Sequence, residues 1–153
     1  WSIFNYFILK MNSHYEILEH PSDIGVLAEG KNLYEAIEEV SRALCSIIAN
    51  IDTISIKEKK QIELSAIDKE ALIIKWLNEI LFFFDSENFI CKYAKVNKIE
   101  KIENGYCIFG IFEGEKFSAE KHKFNIHVKA VTYHQFCLKE NENSVIIKVY
   151  FDI

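Results

Sequence analysis

Two amphipathic helix patterns occupy the first half of the chain, and most of the strand patterns follow in the second half. For the first helix, Asn32 stands at the N-cap position with Glu35 three residues later, and apolar residues then recur every three or four positions. For the second, Asp68 is the candidate N-cap and the apolar stripe runs to about Phe84. That stripe is wide, which favours a helix largely covered by a sheet.

The strand patterns are segregated from the helices. Two short strands, His14–Glu19 and Ile24–Gly30, are predicted before the first helix, with a turn around Pro21 between them. The later predicted strands are Gln61–Ser65, Ile90–Lys101, Tyr106–Phe112, Ile126–Leu138 and Val145–Phe151, with hairpin turns at Asn104-Gly105 and Asn141–Ser144. Because β-α-β alternation is scarce, we predict an α+β fold. It is a two-layer single domain with two helices on one mostly antiparallel or mixed β-sheet.

Length and composition fit one domain of an intracellular protein. The chain has 153 residues, 50% of them apolar, and no stretch approaches the roughly 18 apolar residues of a membrane span. We assign residues 11–153 to the domain and residues 1–10, the apolar segment before Met11, to an N-terminal extension outside the core. The cysteines are scattered without a CxxC pair, as expected for buried thiols of a cytoplasmic protein: Cys45, Cys91, Cys107 and Cys137.

The net charge of −5 bears on the partners that the protein can bind. A domain that grips a nucleic-acid backbone by itself needs a basic face, and this composition does not indicate one, although a sum hides local basic patches. We therefore expect the partner to be a cation, a protein, or a basic surface on another protein.

Carboxylate oxygens are predicted to form the main functional site. Asp152 follows the last strand and lies beside the α-carboxylate of Ile153, so two anions repel each other unless a cation, a proton or water lies between them. Asp23, in the turn after the first strand, supplies a possible third ligand. Such hard oxygen donors suit Mg²⁺, Mn²⁺ or Ca²⁺. The alternative is a turn aspartate and an ordinary solvated terminus.

Lys129 and two histidines are secondary candidates. Strand alternation places Lys129 on one face with His127 and Tyr133, where it either pairs with the carboxylates or faces solvent on an edge strand. His20 and His134 fit no helix-borne metal motif and are weaker candidate ligands. We find no glycine-rich phosphate loop and no recognisable nucleophile–base pairing, so the sequence predicts no self-sufficient catalytic centre.

Three segments combine into a specific pattern: His20-Pro21-Ser22-Asp23-Ile24-Gly25, Val128-Lys129-Ala130-Val131-Thr132-Tyr133-His134 and Tyr150-Phe151-Asp152-Ile153. Between them, in the expected order, lie Lys75-Trp76-Leu77-Asn78-Glu79-Ile80-Leu81 and Gly114-Glu115-Lys116-Phe117. With these segments the chain from Tyr15 to Ile153 resembles the archease family. One difference is Pro21-Ser22, where the family usually has Thr-Ala, but the aspartate that follows is kept.

The resemblance implies an accessory protein for tRNA splicing and RNA repair rather than an enzyme. An archease assists a GTP-dependent ligase of the RtcB type by promoting its guanylylation and multiple turnover, so involvement with tRNA is indirect. By motif, Asp23, Asp152 and the Ile153 carboxylate are the metal-binding positions, calcium, magnesium or manganese being the candidate ions, and Lys129 is a functional neighbour. Two other functions stay open: a metal-dependent phosphoester hydrolase and a metal-free, chaperone-like interaction domain.

Overall fold

The computed structural model describes residues 3–5, 14–19 and 22–153 of the chain. In this part, eight strands and three helices follow one another, with a single 3₁₀ turn at Ile51–Thr53. The elements are β1 Ile3–Asn5, β2 His14–Glu19, β3 Asp23–Gly30, α1 Leu33–Ile48, β4 Glu58–Ala66, α2 Lys69–Glu87, β5 Phe89–Ile102, β6 Gly105–Lys116, α3 Ala119–His122, β7 Ala130–Glu140 and β8 Val145–Asp152.

Both long helices begin at the caps that the sequence predicts. Asn32 Oδ1 accepts a hydrogen bond from Glu35 N–H (2.9 Å), and Glu35 Oε2 accepts one from Lys31 N–H (2.8 Å). Asp68 Oδ1 accepts from Ala71 N–H (2.7 Å) at the start of α2. These side chains satisfy backbone donors that have no partner in the first turn of a helix. The helix starts are therefore decided by local sequence.

The strands form two separate antiparallel sheets. The first has five strands in the order β1-β2-β3-β8-β7, and the second has three in the order β4-β6-β5. Helix α1 contacts β3 of the first sheet and β5 of the second, while α2 contacts β7 and all three strands of the second sheet. The core fills the space between sheets and helices, and its largest fully buried side chains include Trp76, Phe112 and Phe151.

The α+β single-domain prediction is confirmed, with one correction to the sheet. Instead of one mostly antiparallel or mixed sheet under two helices, two antiparallel sheets share the helices. In the described part of the chain, no helix is both long enough and apolar enough to cross a membrane. β1 pairs with Ile17–Glu19 of β2 at the edge of the first sheet. The assignment of residues 1–10 to an extension outside the core stays a prediction.

The predicted strand Ile126–Leu138 is wrong in its first part and in its continuity. Ahead of β7, Asn125 N–H donates to Ile48 O (2.9 Å), and Phe124 forms an isolated bridge with Ala49. Residues 124 and 125 therefore bond to the end of α1, and the chain joins the sheet at Lys129, whose N–H donates to Asp152 O (2.8 Å). Within β7, the register against β8 breaks between Thr132 and Cys137, and Gln135 adopts a left-handed conformation (φ 54°). Such a bulge bends an edge strand.

Candidate functional site

The ends of three strands meet at one edge of the five-stranded sheet. Asp23, the first residue of β3, lies directly opposite Asp152, the last residue of β8. On the other side of β8, Ala130 at the start of β7 is also opposite Asp152. Two hydrogen bonds fasten this edge: Lys129 N–H donates to Asp152 O (2.8 Å), and Ile153 N–H donates to Ser22 O (3.4 Å). Asp152 and Ile153 are thus held beside Ser22 and the start of β3.

Asp23 and Asp152 lie on the same, outward face of the sheet. Along β8, Val149 and Phe151 point into the core and are fully buried, so Tyr150 and Asp152 alternate to the other face. Asp152 is exposed and Asp23 is half-buried. Directly opposite residues of an antiparallel pair have Cβ atoms about 4.5–5.5 Å apart, and like charges there repel. The two carboxylates are therefore within reach of one bridging cation.

The arrangement fits hard-oxygen coordination, although in the described part of the chain it has only two candidate side-chain ligands. Among residues 14–19 and 22–153, no three His, Cys, Asp or Glu side chains are grouped so that they could hold a metal ion. The set expected from the sequence has two such side chains, Asp23 and Asp152, and takes its third oxygen from the Ile153 main chain. Ile153 is half-buried and packs against the core. The structure brings Asp23, Asp152 and Ile153 together, while their role as metal ligands stays a prediction.

Lys129 lies beside this edge, one residue before the strand on which it was predicted. Because β7 begins at Ala130, strand alternation does not fix the face of Lys129 relative to His127 or Tyr133. His127 Nε2 instead lies 3.5 Å from Asp85 on α2. The Lys129 side chain is exposed and forms no ion pair with any residue in the described ranges. It is therefore available to an anion that approaches the carboxylate pair.

Of the two candidate histidines, the structure describes His134 but not His20. His134 lies in the β7 bulge and is exposed, and its ring centroid is 6.3 Å from that of Tyr150. Tyr150 is two residues before Asp152 on the same face, and the role of His134 as a ligand stays a prediction. His20 falls outside the described residues.

Gly25 and Tyr150 shape this face, and sequence reasoning did not single them out. The two residues are directly opposite each other, and a Cβ on Gly25 would lie 2.7 Å from Cε1 of the Tyr150 ring. Lys148 Nζ lies 5.6 Å from the centroid of the same ring. A glycine inside a strand often marks such a close approach, so Gly25 was the available signal.

A second group of ionisable residues lies on the three-stranded sheet. Glu115 is buried, and its Oε2 accepts hydrogen bonds from Lys121 Nζ (2.7 Å) and Ser55 N–H (2.7 Å) and lies 2.9 Å from His122 Nε2. Burial by itself would raise the pKa of Glu115, but these hydrogen bonds outweigh it and lower the pKa to about 2. His122 Nδ1 accepts from Ser118 N–H (2.8 Å), so its Nε2 carries the proton donated to Glu115. This group holds α3 against β6.

Comparison with known proteins places these observations in a family. Residues 15–153 match the Archease protein family (MTH1598/TM1083). The protein archease of Pyrococcus abyssi is 37% identical over 132 residues, covering 86% of this chain and 90% of that protein. The protein archease of Methanosarcina mazei is 32% identical over 139 residues, covering 91% and 95%.

Solved structures share the fold. The solution structure of Methanobacterium thermoautotrophicum protein 1598 has a TM-score of 0.77 and 26% identity, covering 91% of this chain and 98% of that one. A crystal structure from Thermotoga maritima, described as an archease and possible chaperone, has a TM-score of 0.59 and 20% identity, covering 88% and 94%. The second likeness concerns the fold alone. The family match and the identities with curated relatives show that this chain belongs to the archease family.

Proposed function

We propose that this protein is a non-enzymatic activator of a GTP-dependent RNA ligase of the RtcB type, promoting the guanylylation and multiple turnover of that ligase. It does so through a divalent ion held by Asp23, Asp152 and the α-carboxylate of Ile153. The observation that carries the proposal is the register of β3 and β8, which sets Asp23 directly opposite Asp152 on an outward face. Membership of the archease family supports the accessory role.

This edge of the five-stranded sheet has accessible carboxylates and a nearby lysine, which suit docking at a site that binds phosphate groups. The carboxylates are at the surface, so a partner can reach an ion that they hold. When bound, a divalent ion of this kind supplies positive charge that stabilises phosphate oxygens. Lys129, exposed beside Asp152, adds a cation that attracts the same anionic groups. The net charge of −5 favours approach to a basic, RNA-binding partner.

Replacing either carboxylate by its amide tests the proposal. We expect Asp23→Asn and Asp152→Asn each to lower Mn²⁺ or Ca²⁺ affinity at least about tenfold, since even changes around a metal's ligands cost that much. Stimulation of guanylylation of a purified ligase should fall to the level without this protein. Calorimetric titration and a labelled-GTP assay are the two measurements. Both amides should keep the melting temperature or raise it, because a like-charge pair is removed.

Glu142→Gln is the matched control. Glu142 is exposed in the turn between β7 and β8, at the other end of β8 from Asp152. It loses the same charge without touching the site, so its ion affinity and stimulation should equal those of the unchanged protein. Full stimulation by both aspartate variants would rule the proposal out. Flat titrations of the unchanged protein with full stimulation would favour a metal-free interaction domain. Turnover of phosphoesters by the protein alone, lost on chelation, would favour the hydrolase.

The Ile153 α-carboxylate is tested by extending the chain. One glycine added after Ile153 turns that carboxylate into an amide and moves the terminal charge by about 3.5 Å. We expect ion affinity to fall by about tenfold or more while the fold is kept. The same glycine added at the start of the chain serves as control. Unchanged affinity in the extended variant would show that the terminus is not a ligand.

A further inference from the structure

Lysines from three separate segments converge on the outer face of the three-stranded sheet. Glu113 and Glu115 are buried two residues apart on β6. Lys59 Nζ lies 3.3 Å from Glu113 Oε2, and Lys95 Nζ lies 3.1 Å from Glu113 Oε1. β4 and β5 flank β6, so these lysines reach Glu113 from both neighbouring strands.

Glu115 forms ion pairs with two more lysines. Lys121 Nζ, from α3, lies 2.7 Å from Glu115 Oε2, and Lys57 Nζ lies 3.8 Å from Oε1. Lys57 N–H also donates to Gly114 O (2.8 Å), which fixes this residue against β6. Four lysines thus surround two carboxylates on one face.

The charges of this surface are layered, with the negative groups beneath and the positive groups on top. The side chains of Lys57, Lys59 and Lys95 are 69%, 62% and 58% exposed, while both carboxylates are buried. Four positive charges against two negative ones leave an excess of two. Two other carboxylates nearby have partners of their own: Glu58 Oε1 lies 4.0 Å from Lys60 Nζ, and Glu38 Oε2 accepts a hydrogen bond from Val96 N–H (2.9 Å). A positive surface therefore exists on a chain whose net charge is −5.

An aromatic ring lies at one side of this positive surface, on the outer strand β5. Tyr93 is directly opposite Glu113 on β5 and therefore on the same face, and it is 41% exposed. Lys92 Nζ lies 5.8 Å from its ring centroid and adds a fifth cation at the rim. A ring held among cations is the arrangement on which nucleobases stack while lysines neutralise the phosphates.

We propose that this surface, the lysine row, binds single-stranded nucleic acid. It consists of Lys57, Lys59, Lys92, Lys95, Lys121 and Tyr93. The proposal is independent of the carboxylate pair, which lies on the other sheet. The buried glutamates hold the ammonium groups in place, so less side-chain entropy is lost when a phosphate binds. A protein partner would instead require a desolvated apolar centre, whereas the centre of this surface is charged.

Binding is measured by fluorescence anisotropy with labelled oligouridine and oligothymidine of about 12 nucleotides, within the site sizes of such proteins. At about 50 mM salt we expect a Kd between about 1 and 100 μM, the range of non-specific binding. Equal affinities for the two strands would assign recognition to phosphates and base faces. Tighter binding of oligouridine would add contacts to the 2′-hydroxyl. Either result supports the proposal.

Three variants separate charge, stacking and folding. Lys95→Gln should weaken binding and flatten the slope of log affinity against log salt by about 0.7, the value for one phosphate contact on a single strand. Tyr93→Ala should weaken binding at least fivefold through lost stacking. Glu113→Gln keeps an oxygen that accepts a hydrogen bond from a neighbouring lysine and removes only the negative charge beneath the phosphates, so binding should tighten about threefold. A damaged fold would not produce this gain.

Lys139→Gln is the matched control, since Lys139 is an exposed lysine on β7 of the other sheet. We expect it to leave both affinity and salt slope unchanged. The proposal is overturned if neither oligonucleotide binds below about 100 μM, or if Lys139→Gln weakens binding as much as Lys95→Gln. It is also overturned if polyglutamate competes as strongly as the oligonucleotides and Tyr93→Ala changes nothing, which would assign the surface to acidic proteins.

Discussion

Trp76→Ala is expected to lower the free energy of unfolding by about 3–5 kcal/mol, the usual cost of truncating a large buried aromatic residue. Trp76 is fully buried on α2, and its ring meets Phe112 edge to face with centroids 4.9 Å apart. Its Nε1–H donates to Ser41 Oγ (2.9 Å) on α1, and the Ser41 hydroxyl donates onward to Ile37 O (2.6 Å). One side chain thus joins both helices to β6, and its loss removes packing and a buried hydrogen bond together.

Trp76→Phe separates these two contributions. It keeps an aromatic ring in the site but removes the N–H, so it should cost less than half as much as Trp76→Ala. Urea denaturation followed by far-ultraviolet circular dichroism measures both variants. A loss below about 1 kcal/mol for Trp76→Ala, within the range of surface substitutions and mild core changes, would contradict the central role of this residue.

Glu115→Leu is expected to cost about 2–5 kcal/mol, because two hydrogen-bond donors lose the acceptor that they share, at about 1–3 kcal/mol for each buried donor. His122 is fully buried, and without Glu115 its Nε2–H loses its acceptor. Ser55 N–H loses its acceptor as well. Glu115→Gln keeps an oxygen acceptor and removes only the charge, so we expect roughly half of the effect. If both variants lower the free energy of unfolding equally, the charge of Glu115 contributes more to stability than its hydrogen bonds do.

The lowered pKa of Glu115 predicts how the free energy of unfolding depends on pH. Its pKa falls from the ordinary value of 4.5 to about 2 in the folded protein. The stabilisation is therefore complete above about pH 4.5 and is lost as the pH falls through about 2, when the folded state binds the proton. Glu115→Gln should flatten the stability curve in that window, measured by urea denaturation at successive pH values. Parallel curves for the two proteins would refute the assignment to Glu115.

The two long helices and the β5–β6 hairpin could be predicted because the sequence features that specify them are local. Asn32 and Asp68 cap the helices through hydrogen bonds that span three residues. Gly105 has a φ of 150°, and a Cβ there would lie 2.0 Å from Ala66 O, so only glycine fits this turn. The β5–β6 hairpin closes at Asn104-Gly105 as expected, with Ile102 opposite Gly105. Each of these features depends on residues a few positions apart.

The segment before β7 was not predictable for the opposite reason. Ile126 to Leu138 has the apolar alternation of a strand, yet β7 begins only at Ala130, and the residues just ahead of this segment bond to the end of α1. The bulge that follows moves Tyr133 and His134 out of the regular alternation and gives Gln135 a positive φ. Alternation reports which residues prefer burial, and it does not report which distant backbone will accept their hydrogen bonds.

The sequence by itself determined the helix starts, the hairpin turn, the α+β class and the candidate ligands Asp23, Asp152 and Ile153. Only the tertiary structure decided that there are two sheets, and that antiparallel register sets Asp23 opposite Asp152. It also decided the charge of each surface, since the pair Lys57 and Lys59, then Lys95 and Lys121, come from three distant segments and meet around β6. The physical reason is that dissolved salt screens charges, so that two exposed charges interact only when they lie within about 8 Å of each other. A net charge sums residues that never come so close, whereas folding selects which of them do.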